Sequence, residues 1–225
     1  MSEDQNITPE IAEEKDPSSL KLIAALGIAG LLSGIILVGT YIYTLPMIEK
    51  NKAEAMKSAI FKVLPGCDSY ETFKLENEKL IQKVEDESKK REDNNDELLI
   101  YAGYDNNKEL IGFAIPGSEP GFQDIIVTIF GYDPNAKVII GFEVLESKET
   151  PGLGDKIFKD ADFQTNFKEL VVDPEIILVK NGKKENAYEV DGISGATISS
   201  KAVVGLLNNT MTVWRMAIDD YMSDK

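Results

Sequence analysis

The chain has 225 residues, 39 acidic side chains against 24 basic ones and a formal net charge of −15, and no basic patch stands out for nucleic-acid phosphates. It contains no histidine and a single cysteine, Cys67, which excludes histidine-based triads, histidine metal ligands, an intramolecular disulfide, a four-cysteine zinc site and a self-contained iron–sulfur cluster. Redox chemistry in this chain therefore requires a cofactor.

Residues 1–19 carry six acids against Lys15, with Pro9 and Pro17 and few large apolar residues, and read as an acidic disordered tail. Leu22 to Leu45 is a 24-residue run without a formal charge. At about 1.5 Å per residue such a helix crosses a hydrocarbon core of roughly 30 Å, so residues 20–46 are assigned as a transmembrane helix. An acidic N-region, the length of the run and the lack of a small-x-small cleavage site argue against a removable signal peptide. Tyr41 and Tyr43 stand where an interfacial aromatic belt would sit, and Gly27, Gly30, Gly34 and Gly39 permit close packing against other membrane helices and lipid. Lys50, Lys52, Lys57 and Lys62 after the span outnumber Lys15 and Lys21 before it, but the charge rule applies to short loops and leaves the orientation open.

Residues 47–66 interleave Met47, Ile48, Ala55, Ala59, Ile60 and Val63 with charges and read as a helical stalk stopped by Pro65-Gly66; Cys67 behind that turn reads as a small hydrophobe. Residues 82–97 form a charge-dense loop or exposed edge. From residue 98 strand signals appear. Residues 97–104 and 110–117 flank Asn106-Asn107, and residues 124–133 and 137–146 flank Asp133-Pro134-Asn135, so two hairpins are expected. Residues 175–180 make a further strand and a helical stretch covers about 160–170. The expected fold is α+β: one N-terminal transmembrane helix, then a domain at 67–225 with a mixed or antiparallel sheet packed by helices.

Two segments carry chemistry. Glu149-Thr150-Pro151-Gly152-Leu153-Gly154-Asp155-Lys156 is a turn whose glycines let backbone lie against a flat ligand, with Leu153 as its one apolar side chain. Asp191-Gly192-Ile193-Ser194-Gly195-Ala196-Thr197-Ile198-Ser199-Ser200 places the small Gly195 and Ala196 just before a helix marked by Val203, Leu207, Met211, Trp214, Ile218 and Tyr221. With Ser199 or Ser200 as the expected N-cap, Thr197 lies just ahead of a helix N-terminus, where free N–H groups and the dipole favour a phosphodiester.

The second segment resembles the attachment motif D-x-x-[ST]-G-A-T-x-[ST] of FMN-binding domains, in which a hydroxyl residue, here Thr197, is esterified to FMN phosphate. Taken with the Glu149 loop, the Val63-Leu64-Pro65 stalk end and Gly121-Phe122-Gln123-Asp124, nearly the whole chain resembles the G subunit of the Rnf complex, the ion-translocating ferredoxin:NAD oxidoreductase. It is also similar to the C subunit of the sodium-translocating NADH:quinone reductase. The acidic N-terminal tail departs from both patterns.

The resemblance implies a covalent FMN donated from FAD by a flavin transferase with magnesium, a domain outside the cytoplasm, and other integral membrane and redox subunits as partners. It implies that Ser194, Gly195, Ala196 and Ser199 shape the phosphate pocket, that Asp191 holds the loop or aids attachment, and that Glu149, Thr150, Gly152 and Leu153 border the isoalloxazine ring. No residue reads as a catalytic acid or base or as a protein metal ligand, and no G-x-G-x-x-G nucleotide fingerprint follows a strand, so an electron relay is expected rather than a free-standing catalyst. The alternatives are the quinone-reductase subunit, a stand-alone membrane-anchored flavin reductase, or a non-redox binding protein with an empty motif.

Overall fold

The computed structural model describes residues 18–83 and 97–224. The acidic tail through residue 17 and residues 84–96 of the charge-dense segment lie outside the described residues. The chain divides into two compact units between Asn51 and Lys52.

Helix α1 runs from Ser19 to Val63, with Pro46 inside it. Its apolar N-terminal portion is long and apolar enough to cross a membrane, with a mean hydropathy of 2.5 and none of that stretch buried within the protein. Hydroxyls in the run bond backward along the helix, Thr40 Oγ1 to the Ile36 carbonyl at 2.8 Å and Thr44 Oγ1 to that of Thr40 at 3.0 Å. In hydrocarbon that leaves neither hydroxyl unsatisfied. The helix stops at Val63, just before Pro65 and the positive-φ Gly66.

Beyond it lie β1 (Ser69–Glu76), β2 (Lys79–Gln82), β3 (Leu99–Tyr104), β4 (Leu110–Pro120), β5 (Ile125–Asp133), β6 (Val138–Glu146) and β7 (Leu170–Val171). They form one antiparallel sheet in the order β2-β1-β3-β4-β5-β6-β7. Both expected hairpins are present. Their turns are built by aspartates: Asp105 Oδ1 accepts from Asn107 N and Glu109 N at 2.8 Å, and Asp133 Oδ1 from Asn135 N at 2.8 Å. The expected strand near 175–180 is β8 (Ile177–Val179), which pairs in parallel with β9 (Glu189–Asp191) apart from the main sheet.

Two expectations need correction. The β1–β2 hairpin falls before residue 98, where no strand signal is legible. Its two-residue turn, Asn77-Glu78, has positive φ at both positions (52° and 64°), a hairpin geometry usually signalled by Asn-Gly. The expected helix at 160–170 is instead α2 (Lys156–Lys159) and α3 (Ala161–Thr165), the latter capped by Asp160 accepting from Asp162 N and Phe163 N. Residues 170–171 leave the helix and pair with β6 as β7, because Glu169 turns the chain at φ 61°.

The sheet is covered on both faces. Helix α4 (Thr197–Ser223) buries Val203, Leu207, Met211, Trp214 and Ile218, the stripe read from the sequence, against Phe113, Ile115, Phe130 and Ile139. Each such large side chain contributes about 1.5–3 kcal/mol on full burial. Side-chain alternation turns Ala114 and Ile129 to the other face, where Ala59, Ile60, Val63 and Leu64 close the second cluster. There Gly131 and Gly141, cross-strand partners in β5 and β6, lie directly under Val63. A Cβ on Gly141 would sit 2.5 Å from the Val63 carbonyl oxygen, so glycine is what admits the helix end to the sheet.

Candidate functional site

The Glu149 loop, the Thr197 loop and the corner between β4 and β5 converge on one cleft of about 330 Å³. That is within the range of small-molecule sites, about 300–1,000 Å³. Glu149, Thr150, Leu153, Gly195, Ala196, Thr197 and Ser199, all expected from the sequence, line it. Phe122, Gly154 and Ile198 line it as well and were not expected as site residues. Phe122 is 63% exposed and Ile198 55%. With Leu153 they give the cleft an apolar rim, a surface suited to a planar ring. The sequence does hold a signal for Phe122: a large aromatic inside a Gly-Phe-Gln-Asp turn, where burial is not available to it.

Helix α4 starts at Thr197, three or four residues earlier than the expected cap at Ser199 or Ser200 implies. Ala196 takes the N-cap position without a side-chain hydrogen bond, so neither Ser199 nor Ser200 is the cap. Ser200 is fully buried and clamps the loop: its hydroxyl donates to the Ala196 carbonyl at 3.0 Å and accepts from Ile193 N at 3.1 Å. Gly195 turns the chain at φ 84°, a conformation L side chains rarely adopt. Thr197 emerges exposed at the first position of an uncapped helix of 27 residues. Uncapped first-turn N–H groups and the helix dipole make that end an anion site.

Glu149 is 5% exposed. Its Oε1 accepts from Phe122 N at 2.8 Å and Gln123 N at 2.9 Å, and its Oε2 accepts from the Ser199 hydroxyl. Burial pushes the carboxyl up, but the hydrogen bonds from Ser199, Gln123 and Phe122 outweigh it and hold Glu149 below the usual carboxylate value. The Ser199 proton is thereby committed to Glu149, and Ser199 orients the first turn from beneath. Asp155 closes the same loop: its Oδ1 accepts from Gly152 N at 2.7 Å and its Oδ2 pairs with Lys159 at 2.6 Å, and Lys159 holds its carboxyl low.

A second cleft of about 590 Å³ shares Gly195 and Thr197 with the first. Ser194 lines this one, beside Lys180 and Asn181. Gly152 borders neither cleft; it turns the Glu149 loop at φ 78°. Asp191 also borders neither. Its carboxylate accepts from Lys183 N and Lys184 N, both at 3.0 Å, so it fastens the strand that leads into the Thr197 loop.

Residues 121–212 match the FMN-binding domain family, and they contain every segment that builds the cleft. Fold and site together thus define an FMN-binding domain carried behind a long apolar helix. The chain belongs to the family of G subunits of ion-translocating oxidoreductase complexes. It is 31% identical over 191 residues to the G subunit of the ion-translocating oxidoreductase complex of Methanosarcina acetivorans, covering 85% of this chain and 92% of that one. It is 29% identical to the G subunit of the proton-translocating ferredoxin:NAD(+) oxidoreductase complex of Clostridium ljungdahlii, covering 86% and 90%. The Na(+)-translocating counterpart from Acetobacterium woodii is 28% identical, covering 90% and 97%. Among solved structures the fold is similar to Shewanella oneidensis NqrC, with a TM-score of 0.58 and 18% identity over 72% of this chain and 96% of that one.

Proposed function

We propose that this chain is the membrane-anchored flavoprotein subunit of an Rnf-type complex, carrying FMN in phosphodiester linkage on Thr197 and relaying electrons between ferredoxin and NAD while the complex translocates ions. The observation that carries the reading is the position of Thr197: an exposed hydroxyl at an uncapped helix start, on the wall between an apolar-rimmed cleft and a more polar one. Bound FMN supplies the exchange of electrons singly or in pairs. The protein's own residues do the placing. Thr197 anchors the phosphate, Gly195 and Ala196 keep the approach clear, and first-turn N–H groups of α4 offset its charge. Phe122, Leu153 and Ile198 cover ring surface, Thr150 and Gly152 shape the facing loop, and Ser194 meets the polar end. Covalent linkage keeps the site loaded wherever free FMN is scarce.

The same reading divides the chain into a tail at 1–19, a span at 20–46, a stalk at 47–66 and the FMN domain at 67–225. It puts the domain outside the cytoplasm, where a flavin transferase loads it, and α1 among lipid and the other integral subunits. The test is mass spectrometry and in-gel flavin fluorescence of chain produced with a flavin transferase. An FMN-sized mass on the peptide holding Thr197 is expected; flavin on another residue, or none, sinks the assignment. Protease added to spheroplasts should digest the domain, and digestion only in inverted vesicles would reverse the topology.

A further inference from the structure

We propose that Glu149 is a positioning residue for Thr197: its buried carboxylate ties the β4–β5 corner to the first turn of α4 and so fixes the cleft beside the threonine hydroxyl. The proposal rests on Thr197 as the flavin acceptor.

Three segments far apart in sequence meet on this one side chain. Phe122 N and Gln123 N lie 27 and 26 residues before Glu149, and the Ser199 hydroxyl lies 50 residues after it. The other carboxylate of this loop plays a local part: Asp155 bonds within its own loop and to Lys159. Burying a carboxylate costs several kcal/mol unless donors satisfy it, so a carboxylate kept here, on three donors, signals a demand on geometry.

The backbone is shaped around it. A Cβ on Gly121 would stand 2.5 Å from Glu149 Oε1, and one on Gly154 would stand 2.8 Å from both Glu149 Cβ and Ser199 Oγ. Two glycines from different loops thus leave room for the carboxylate. The parts the carboxylate holds are the parts that face the ligand. Phe122 is a rim residue, and Ser199 is two residues after Thr197, so fixing Ser199 fixes the turn that presents Thr197 and Ile198. The carboxylate also sets the direction of the Ser199 bond, since an ionised Glu149 can only accept.

The experiment compares full-length wild-type chain with E149A, E149Q and S199A. It measures the initial rate of flavin attachment with FAD, magnesium and a flavin transferase, and amide hydrogen exchange of the unloaded protein. E149A should slow attachment at least about ten-fold and speed exchange at residues 122–123 and 197–199, with β5 and β6 unchanged. E149Q should recover to within about three-fold of wild type, because its amide oxygen can accept both N–H groups while its nitrogen donates to Ser199. S199A should fall between the two. Wild-type attachment in E149A, uniform loosening of the whole sheet, or E149Q as slow as E149A would each overturn the proposal. A wild-type chain that gains no flavin mass would instead remove the Thr197 reading. The exchange data would then decide the Glu149 tie alone.

Discussion

Among the described residues the two faces of the seven-stranded sheet are each covered by part of a long helix, and the candidate site lies at the N-terminus of one of these, α4. On one face the last turns of α1 lie against Gly131 and Gly141 with Ala59, Ile60 and Val63, and contact is backbone-close. On the other, α4 stands off on large side chains such as Trp214, Met211 and Phe130. Its N-terminus projects to the sheet's loop edge, where Thr197 is exposed. The α1 face gives up side-chain volume for proximity, whereas the α4 face uses volume to hold a helix terminus free for a ligand.

The sharpest test of that division is Thr197→Ala. It should remove covalent flavin entirely while moving the thermal midpoint by no more than about 2 °C, because exposed substitutions change stability by about 0.5 kcal/mol or less. In-gel fluorescence and calorimetry check the two halves; a large fall in midpoint would make Thr197 structural. In intact membranes the same variant should abolish ferredoxin-to-NAD electron flow while the complex still assembles.

Next in size is Trp214→Ala, on the α4 face. It empties a site that is 2% exposed and should cost about 3–5 kcal/mol by denaturant unfolding. Flavin attachment in the folded fraction should persist, since Trp214 is 17 residues along the helix from Thr197, about 25 Å at 1.5 Å per residue. Loss of attachment without loss of stability would break the separation between scaffold and site. Gly141→Ala tests the other face. Its methyl group strikes Val63 backbone rather than a flexible side chain, so overpacking should cost about 3 kcal/mol. A stable Gly141→Ala chain would mean that α1 can lift from the sheet at little cost.

A smaller effect depends on pH. Glu149 titrates below its ordinary value of 4.5 in the folded protein. A lowered folded pKa contributes stability that is present above the unfolded value and lost as pH falls through the folded one. The advantage of wild type over Glu149→Gln should therefore hold at neutral pH and shrink below about pH 4.5. Thermal unfolding of both chains across about pH 3–7 measures it, and a gap that widens in acid would contradict the sign. The smallest change belongs to Lys62→Ala, which removes the 2.5 Å pair with Glu143 on the α1 face. The Lys62 side chain is 64% exposed, so the expected loss is about 0–1 kcal/mol, and roughly 2 kcal/mol or more would show that this face depends on charge as well as proximity.

Much of this protein follows from local chemistry. A charge-free run long enough for a bilayer, alternating strands closed by aspartate turns, a helical stripe from Val203 to Tyr221 and the Gly-Ala-Thr segment are all statements about neighbours in sequence. Neighbours in sequence fix periodicity and turn chemistry. The remainder depends on residues that are far apart and waits on packing. Sequence could not tell that Ser199 spends its proton on Glu149 rather than capping a helix, because their meeting across 50 residues depends on how three loops pack. Nor could it place Ser194 and Leu153 in two different clefts that share Thr197, or show Asp191 fastening Lys183 and Lys184 away from both clefts. The β1–β2 hairpin escaped for a related reason: its residues are almost all exposed or half-buried, so the pairing of β1 with β3 and of β2 with β1, rather than a buried apolar pattern, makes them strands.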